Sequence, residues 1–266
     1  MGILVLIAGM FFSQVSVWAD QVVRQAQITT MNGKVEWVKA GTTDWQAASL
    51  DQQLGAGDKI RTGESSDAVL TLDEGSKINV AANSEFAVQT LIKDSKTEQL
   101  QSVLALMKGR MQANVTSLKP GSSFEVETPV MVAAVRGTVF NININPDGSV
   151  NATSVEDTVE LIRQGQNKFV IKLENGDEAQ VQVELATGDV RITSVKGDFD
   201  VTGPNGEVLH LKEGQSIVLR GGAATFIPFS LEVAQPPAGD SLGEPIVAAE
   251  ENDTPSDSLG ESPSGS

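Results

Sequence analysis

The sequence carries one histidine, no cysteine and 35 acidic side chains, and this inventory bounds the chemistry it can perform. His210 stands in Val208-Leu209-His210-Leu211, an alternating run that places it on the solvent side of a strand. A multi-histidine metal site is arithmetically impossible. Thiol nucleophiles, disulfides and thiolate metal sites are ruled out with the cysteines. No G-x-S-x-G elbow, H-E-x-x-H helix or phosphate-binding P-loop occurs, so a histidine triad is not expected. Carboxylates alone leave one route to catalysis, a paired acid and base of the glycosidase kind. Sugar subsites want stacking aromatics, and beyond the N-terminal segment only Trp37 and Trp45 offer an indole. Asp73-Glu74-Gly75, Asp147-Gly148 and Asn175-Gly176-Asp177 lack the spaced oxygen ligands of a calcium loop and are expected to be turns. The chain is therefore expected not to be an enzyme and to need no cofactor or metal.

The net charge of −16 repels phosphate backbones, so nucleic acid is not an expected partner; a charge-steered partner would be basic. Ile3 to Phe12 is apolar, long enough for the core of a secretion signal and too short to span a bilayer. Val17-Trp18-Ala19 places small residues at the positions a signal peptidase reads, so cleavage is expected between Ala19 and Asp20, leaving residues 1–19 as a signal peptide. At the other end, 235–266 is rich in Ser, Gly, Pro and acidic residues. It holds seven carboxylates and no basic side chain, and is expected to be a disordered acidic tail.

Between these ends the pattern is short and alternating. Ala68 to Leu72 and Lys77 to Val80 flank Asp73-Glu74-Gly75, Phe140 to Ile144 precedes Asn145-Pro146-Asp147-Gly148, and Lys168 to Leu173 and Glu178 to Val183 flank Glu174-Asn175-Gly176-Asp177. Period-two apolar residues broken by glycine turns are strand–turn–strand signals. Gln99 to Met107 is the one stretch whose leucines fit a helix, and they fit a strand equally well. An internal echo links Gly33-x-Val35 and Leu54-x-x-Gly57-Asp58-x-Ile60 with Gly188-x-Val190 and Leu211-x-x-Gly214-Gln215-x-Ile217. Repeated β-units of this size bury an apolar face only by stacking. The expected fold is all-β: a solenoid-like or sandwich-like stack of short strands with mixed pairing. One β domain is expected over 20–165, with a second β segment over 166–234 packed on or continuing it.

The stretch from Gly33 to Leu161 resembles the FecR domain. The residues that carry the likeness are Gly33, Val35 and Trp45, then Gly57-Asp58-Lys59-Ile60-Arg61-Thr62-Gly63, the strands from Leu70 to Val80, and Thr128-Pro129 through Val135-Arg136-Gly137-Thr138-Val139-Phe140. The resemblance implies an extracytoplasmic β-rich domain. Named members of that family are inner-membrane transducers that relay receptor occupancy to a sigma factor. This sequence shows no membrane-spanning segment after its apolar start, so a free-standing periplasmic or secreted module with no span in its mature form is expected. Gly57, Asp58, Thr62, Gly63, Thr128, Pro129, Arg136, Gly137, Thr138 and Phe140 are expected to be structural. Asp58, Thr62 and Gly63 suggest a side-chain-stabilised turn, and Thr128-Pro129 the start of a strand. Arg136, inside an apolar run, is expected to be paired and to tie strands together, with contact to a ligand as the alternative. The function expected is a non-catalytic protein-binding, sensing or scaffold module whose partner is an unknown envelope or extracellular protein. A structural surface component and a carboxylate-dependent glycan hydrolase are the alternatives.

Overall fold

The computed structural model describes residues 21–163 and 167–220; the expected signal cleavage at Ala19–Asp20 and the acidic tail lie outside the described residues. Among the described residues twenty-one strands, numbered in chain order, form two sheets. The first runs β4 (Gln46–Ala47), β3 (Val35–Val38), β6 (Lys59–Thr62), β9 (Glu85–Asp94), β10 (Leu100–Asn114), β11 (Ser123–Glu127), β12 (Val132–Val135), β15 (Val159–Arg163), β16 (Phe169–Leu173), β19 (Phe199–Thr202) and β20 (Val208–Leu211). β1 (Gln21–Val23) pairs with the far end of β9. The second runs β5 (Gln53–Leu54), β2 (Ala26–Asn32), β7 (Asp67–Leu72), β8 (Lys77–Val80), β10, β13 (Val139–Ile144), β14 (Val150–Glu156), β17 (Glu178–Val183), β18 (Val190–Lys196) and β21 (Ser216–Leu219). The fold is all-β with mixed pairing: β10 and β11 run parallel, and the other ladders are antiparallel.

β10 belongs to both sheets. Its first half pairs with β9 and β11, its second with β8 and β13. The change of sheet falls at Gly109, where φ is +83° and a Cβ would lie 2.6 Å from the Ser84 Cα. Only glycine fits there. Alternation does the rest: β7 buries Ala68, Leu70 and Leu72, and β15 buries Val159 and Leu161. These side chains meet Ile60, Phe86 and Phe124 of the first sheet and Ile28, Ile78 and Phe140 of the second in one continuous core.

From β11 onward the chain alternates hairpins between the sheets. β13–β14 lies in the second, β15–β16 in the first, β17–β18 in the second and β19–β20 in the first, so β17–β20 repeats the course of β13–β16. Short arcs cross between sheets on one side of the stack; the hairpin turns lie on the other. The Asn175-Gly176 turn is one of these arcs, not the hairpin that the flanking pattern suggests: β16 and β17 belong to different sheets. Gly176 N–H donates to the Ser154 carbonyl at 2.8 Å and Ser154 N–H to the Asp177 carbonyl at 3.0 Å, tying the arc to β14. The echoed glycines repeat this exchange. Gly214 N–H bonds Ser194 O and Ser194 N–H bonds Gln215 O; Gly57 N–H bonds Val88 O and Val88 N–H bonds Asp58 O. Fully buried serines close the neighbouring arcs, with Ser154 Oγ donating to Asp157 O at 2.7 Å and Ser194 Oγ to Gly197 O at 2.5 Å. The ladders β14–β17 and β16–β19 carry both sheets past residue 166 without interruption. Gln99 to Met107 falls largely within β10.

Candidate functional site

The first half of the resemblance is a set of short polar stitches. The buried Asp58 carboxylate accepts from Gly55 N–H and from Ala40 N–H, each at 2.8 Å, so it joins the β5–β6 arc to the end of β3. Gly57 has φ +89°, and a Cβ would sit 2.7 Å from that of Ala40. Thr62 Oγ1 donates to Ala81 O at 2.5 Å and accepts from Ser84 N–H at 3.0 Å, while Gly63 N–H donates to Lys34 O. Trp45 lies over the Arg61 guanidinium at 4.3 Å, and Arg61 Nε donates to Glu36 at 2.8 Å.

The second half departs from the sequence-based expectations in two places. Thr128 and Pro129 do not start a strand; they lie in the turn between β11 and β12. Thr128 Oγ1 donates to Met131 O at 2.8 Å and accepts from Met131 N–H at 3.1 Å, and this local bonding holds the chain in a turn. Arg136 is not a buried, paired strand tie. Its side chain is exposed on the arc from β12 to β13, with no hydrogen bond or ion pair to another described residue. The physical reason is the crossing: the inward alternation of β12 ends at Val135, and the chain turns out of the sheet at the next residue.

Its neighbours are locked. Gly137 has φ +113°, and a Cβ would approach Ser117 Cα at 2.8 Å and Thr116 O at 3.3 Å. Buried Thr138 donates its hydroxyl to Glu156 O and accepts Val115 N–H at its carbonyl; Phe140 is fully buried. An exposed, charged side chain is thus carried on an arc held against residues 116–117.

Those same residues form one wall of a cleft of about 350 Å³ lined by Asp73, Glu74, Lys93, Glu98, Leu100 and 116–119. Beneath it lies a cluster that sequence reasoning missed. Arg24, only 4% exposed, donates through Nε to Asp73 Oδ1 at 2.7 Å, through Nη1 to Ser102 Oγ at 3.1 Å and through Nη2 to Glu74 Oε2. Its partners stand 49, 78 and 50 residues away, beyond the reach of any local pattern. Glu74 Oε1 is buried without a hydrogen-bond partner.

Burial pushes the Glu74 carboxyl up, against its own backbone N–H and the Arg24 charge. Burial also acts on Asp73, but the Arg24 hydrogen bond and charge outweigh it and hold that carboxyl down. The two groups act oppositely on stability. Asp73 stabilises above the ordinary carboxylate range and loses this as pH falls; Glu74 costs stability as pH rises through and above that range, where the native state must ionise a buried acid. Glu74→Gln is therefore expected to melt progressively higher relative to wild type as pH rises from 4 to 7. A constant difference across that range would show that Glu74 ionises freely.

His210 is exposed on β20, with Nδ1 2.9 Å from Asp200 Oδ1. The described residues hold no group of three His, Cys, Asp or Glu side chains placed to share a metal ion, and no helix long and apolar enough to cross a membrane.

The family described as FecR protein matches residues 58–160, a span running from Asp58 through the Arg136 arc to β15. No curated protein matches. Two crystal structures of a protein from Parabacteroides distasonis ATCC 8503, described as a candidate anti-sigma factor, are similar to this chain at 18% and 17% identity. Their TM-scores are 0.39 and 0.38, and each match covers 58% of this chain and 59% of the solved one, so the chain spans less than two thirds of their length.

Proposed function

We propose that this chain is a FecR-like β module that works outside the cytoplasm as a non-catalytic protein-binding or sensing unit, with the Arg136 arc as its contact point. The FecR match over 58–160 supports a sensing or regulatory role. The observation that carries the contact point is the contrast within the Arg136-Gly137-Thr138 run: Gly137 and Thr138 are fixed by close approach and hydrogen bonds, and Arg136 alone points to solvent. A planar five-donor guanidinium on an arc held in this way suits a carboxylate of a partner. Of the cleft's carboxylates, Asp73 and Glu74 are held by Arg24 and Glu98 pairs with Lys93, so they are better placed to fasten the fold than to move protons.

Capture from a bacterial envelope fraction tests this. Wild type is expected to retain a discrete partner and Arg136→Glu to lose it, with a charge reversal costing tenfold or more in affinity, about 1.4 kcal/mol. Equal capture by both proteins, or retention of further copies of the chain alone, would contradict the reading.

A further inference from the structure

We propose that the free edge of β20 is a strand-docking site for an extended segment of a partner protein that alternates apolar and basic residues. β20 ends the first sheet among the described residues, paired with β19 and with no strand on its other side. Its last side chain, Leu211, is buried, but Val208 is 58% exposed and His210 is exposed. Leu209 faces the core and is only partly covered. An added strand would therefore satisfy the unpaired backbone groups of β20 and close the core over Leu209 with one apolar side chain.

The sign of the partner follows from the surroundings. Asp198 lies on the arc before β19, Asp200 on β19, Glu207 on the β19–β20 turn and Glu213 on the arc after β20, against Lys196 and Lys212. On the outer face Asp200 stands directly across from His210. Pairing two copies through β20 would bring these carboxylates together, so a basic segment is favoured over self-association. The outer face also offers an apolar row that ends at this edge: Val132 opposite Ile162, Ile162 opposite Val170, Val170 opposite Thr202 and Thr202 opposite Val208. The docked segment is thus predicted to present its apolar residues to the core face over Leu209 and its basic residues to the outer face near Asp200.

This inference rests on the reading of the chain as a binding module but uses a surface separate from the Arg136 arc. The probe is a synthetic peptide of alternating Lys and Val, about eight residues long, with an alternating Glu and Val peptide as its control; the readout is amide hydrogen exchange of residues 208–211. The Lys–Val peptide is expected to slow exchange of the unpaired β20 amides about tenfold, and Val208→Lys, which changes an exposed residue, is expected to remove that protection without altering the melt. Arg136→Glu should leave the protection intact, which separates failure of this site from failure of the Arg136 contact. No protection, equal protection by both peptides, or protection that grows with protein concentration in the absence of peptide would each overturn the proposal.

Discussion

Arg24→Ala is expected to lower the stability of the fold by about 3 kcal/mol, a large share of the roughly 5–15 kcal/mol that holds a typical domain. Arg24 is 4% exposed, and its guanidinium bonds Asp73, Glu74 and Ser102 at once. Its backbone N–H donates to Leu91 O, so the residue also fixes the β1–β2 junction against β9. Removing it leaves the largely buried Glu74 carboxylate without its cationic partner. The cost sits at the lower end of the range for a broken buried pair because Asp73 is 55% exposed and Glu74 can take up a proton. The double change Arg24→Met with Glu74→Gln should recover most of the loss, since an apolar replacement no longer strands a charge. Urea midpoints of the three proteins give the measurement; an Arg24→Ala midpoint equal to wild type would mean that the cluster contributes nothing net.

Gly137→Ala is the second large effect, again about 3 kcal/mol. The backbone there has φ +113°, where an L side chain costs ~1–3 kcal/mol. The added Cβ would stand 2.8 Å from Ser117 Cα, a backbone atom that cannot rotate away. Either the arc or residues 116–117 must move, and the latter form the wall of the cleft. Gly148→Ala is the internal control. Gly148 also has positive φ, but nothing lies within 4 Å of its Cβ position, so it should cost only the conformational part. Equal losses at the two positions would show that the close approach at Gly137 carries no energy.

The elements were legible in the sequence where burial alternates and glycine marks the turn. Asp73-Glu74-Gly75 does separate β7 from β8, and the two pair as a hairpin. The pairing of strands was less legible. Asn175-Gly176 carries the same local signal, yet its N–H groups are answered from β14, and the flanking strands enter different sheets. Local sequence records that the chain turns; the partner that receives the turn decides whether it forms a hairpin or an arc. Arg136 was misread for a related reason. An arginine after an apolar run suggests a buried charge, but the strand ends at Val135 and the guanidinium leaves the sheet with the arc. Arg24 lay beyond sequence reasoning altogether. It precedes the family-matched span, its charge looks like any other before a strand, and it is assembled with its partners only when β2, the β7–β8 turn and β10 come together.

The urea midpoint of Arg136→Ala tests the central claim most directly, because it separates a contact residue from a strand tie. With the side chain in solvent and no partner lost, the midpoint should match wild type to within about 0.5 kcal/mol, while Gly137→Ala, one residue away, unfolds in clearly less urea. A drop in Arg136→Ala as large as that of Gly137→Ala would contradict the account and return Arg136 to the structural framework of the arc.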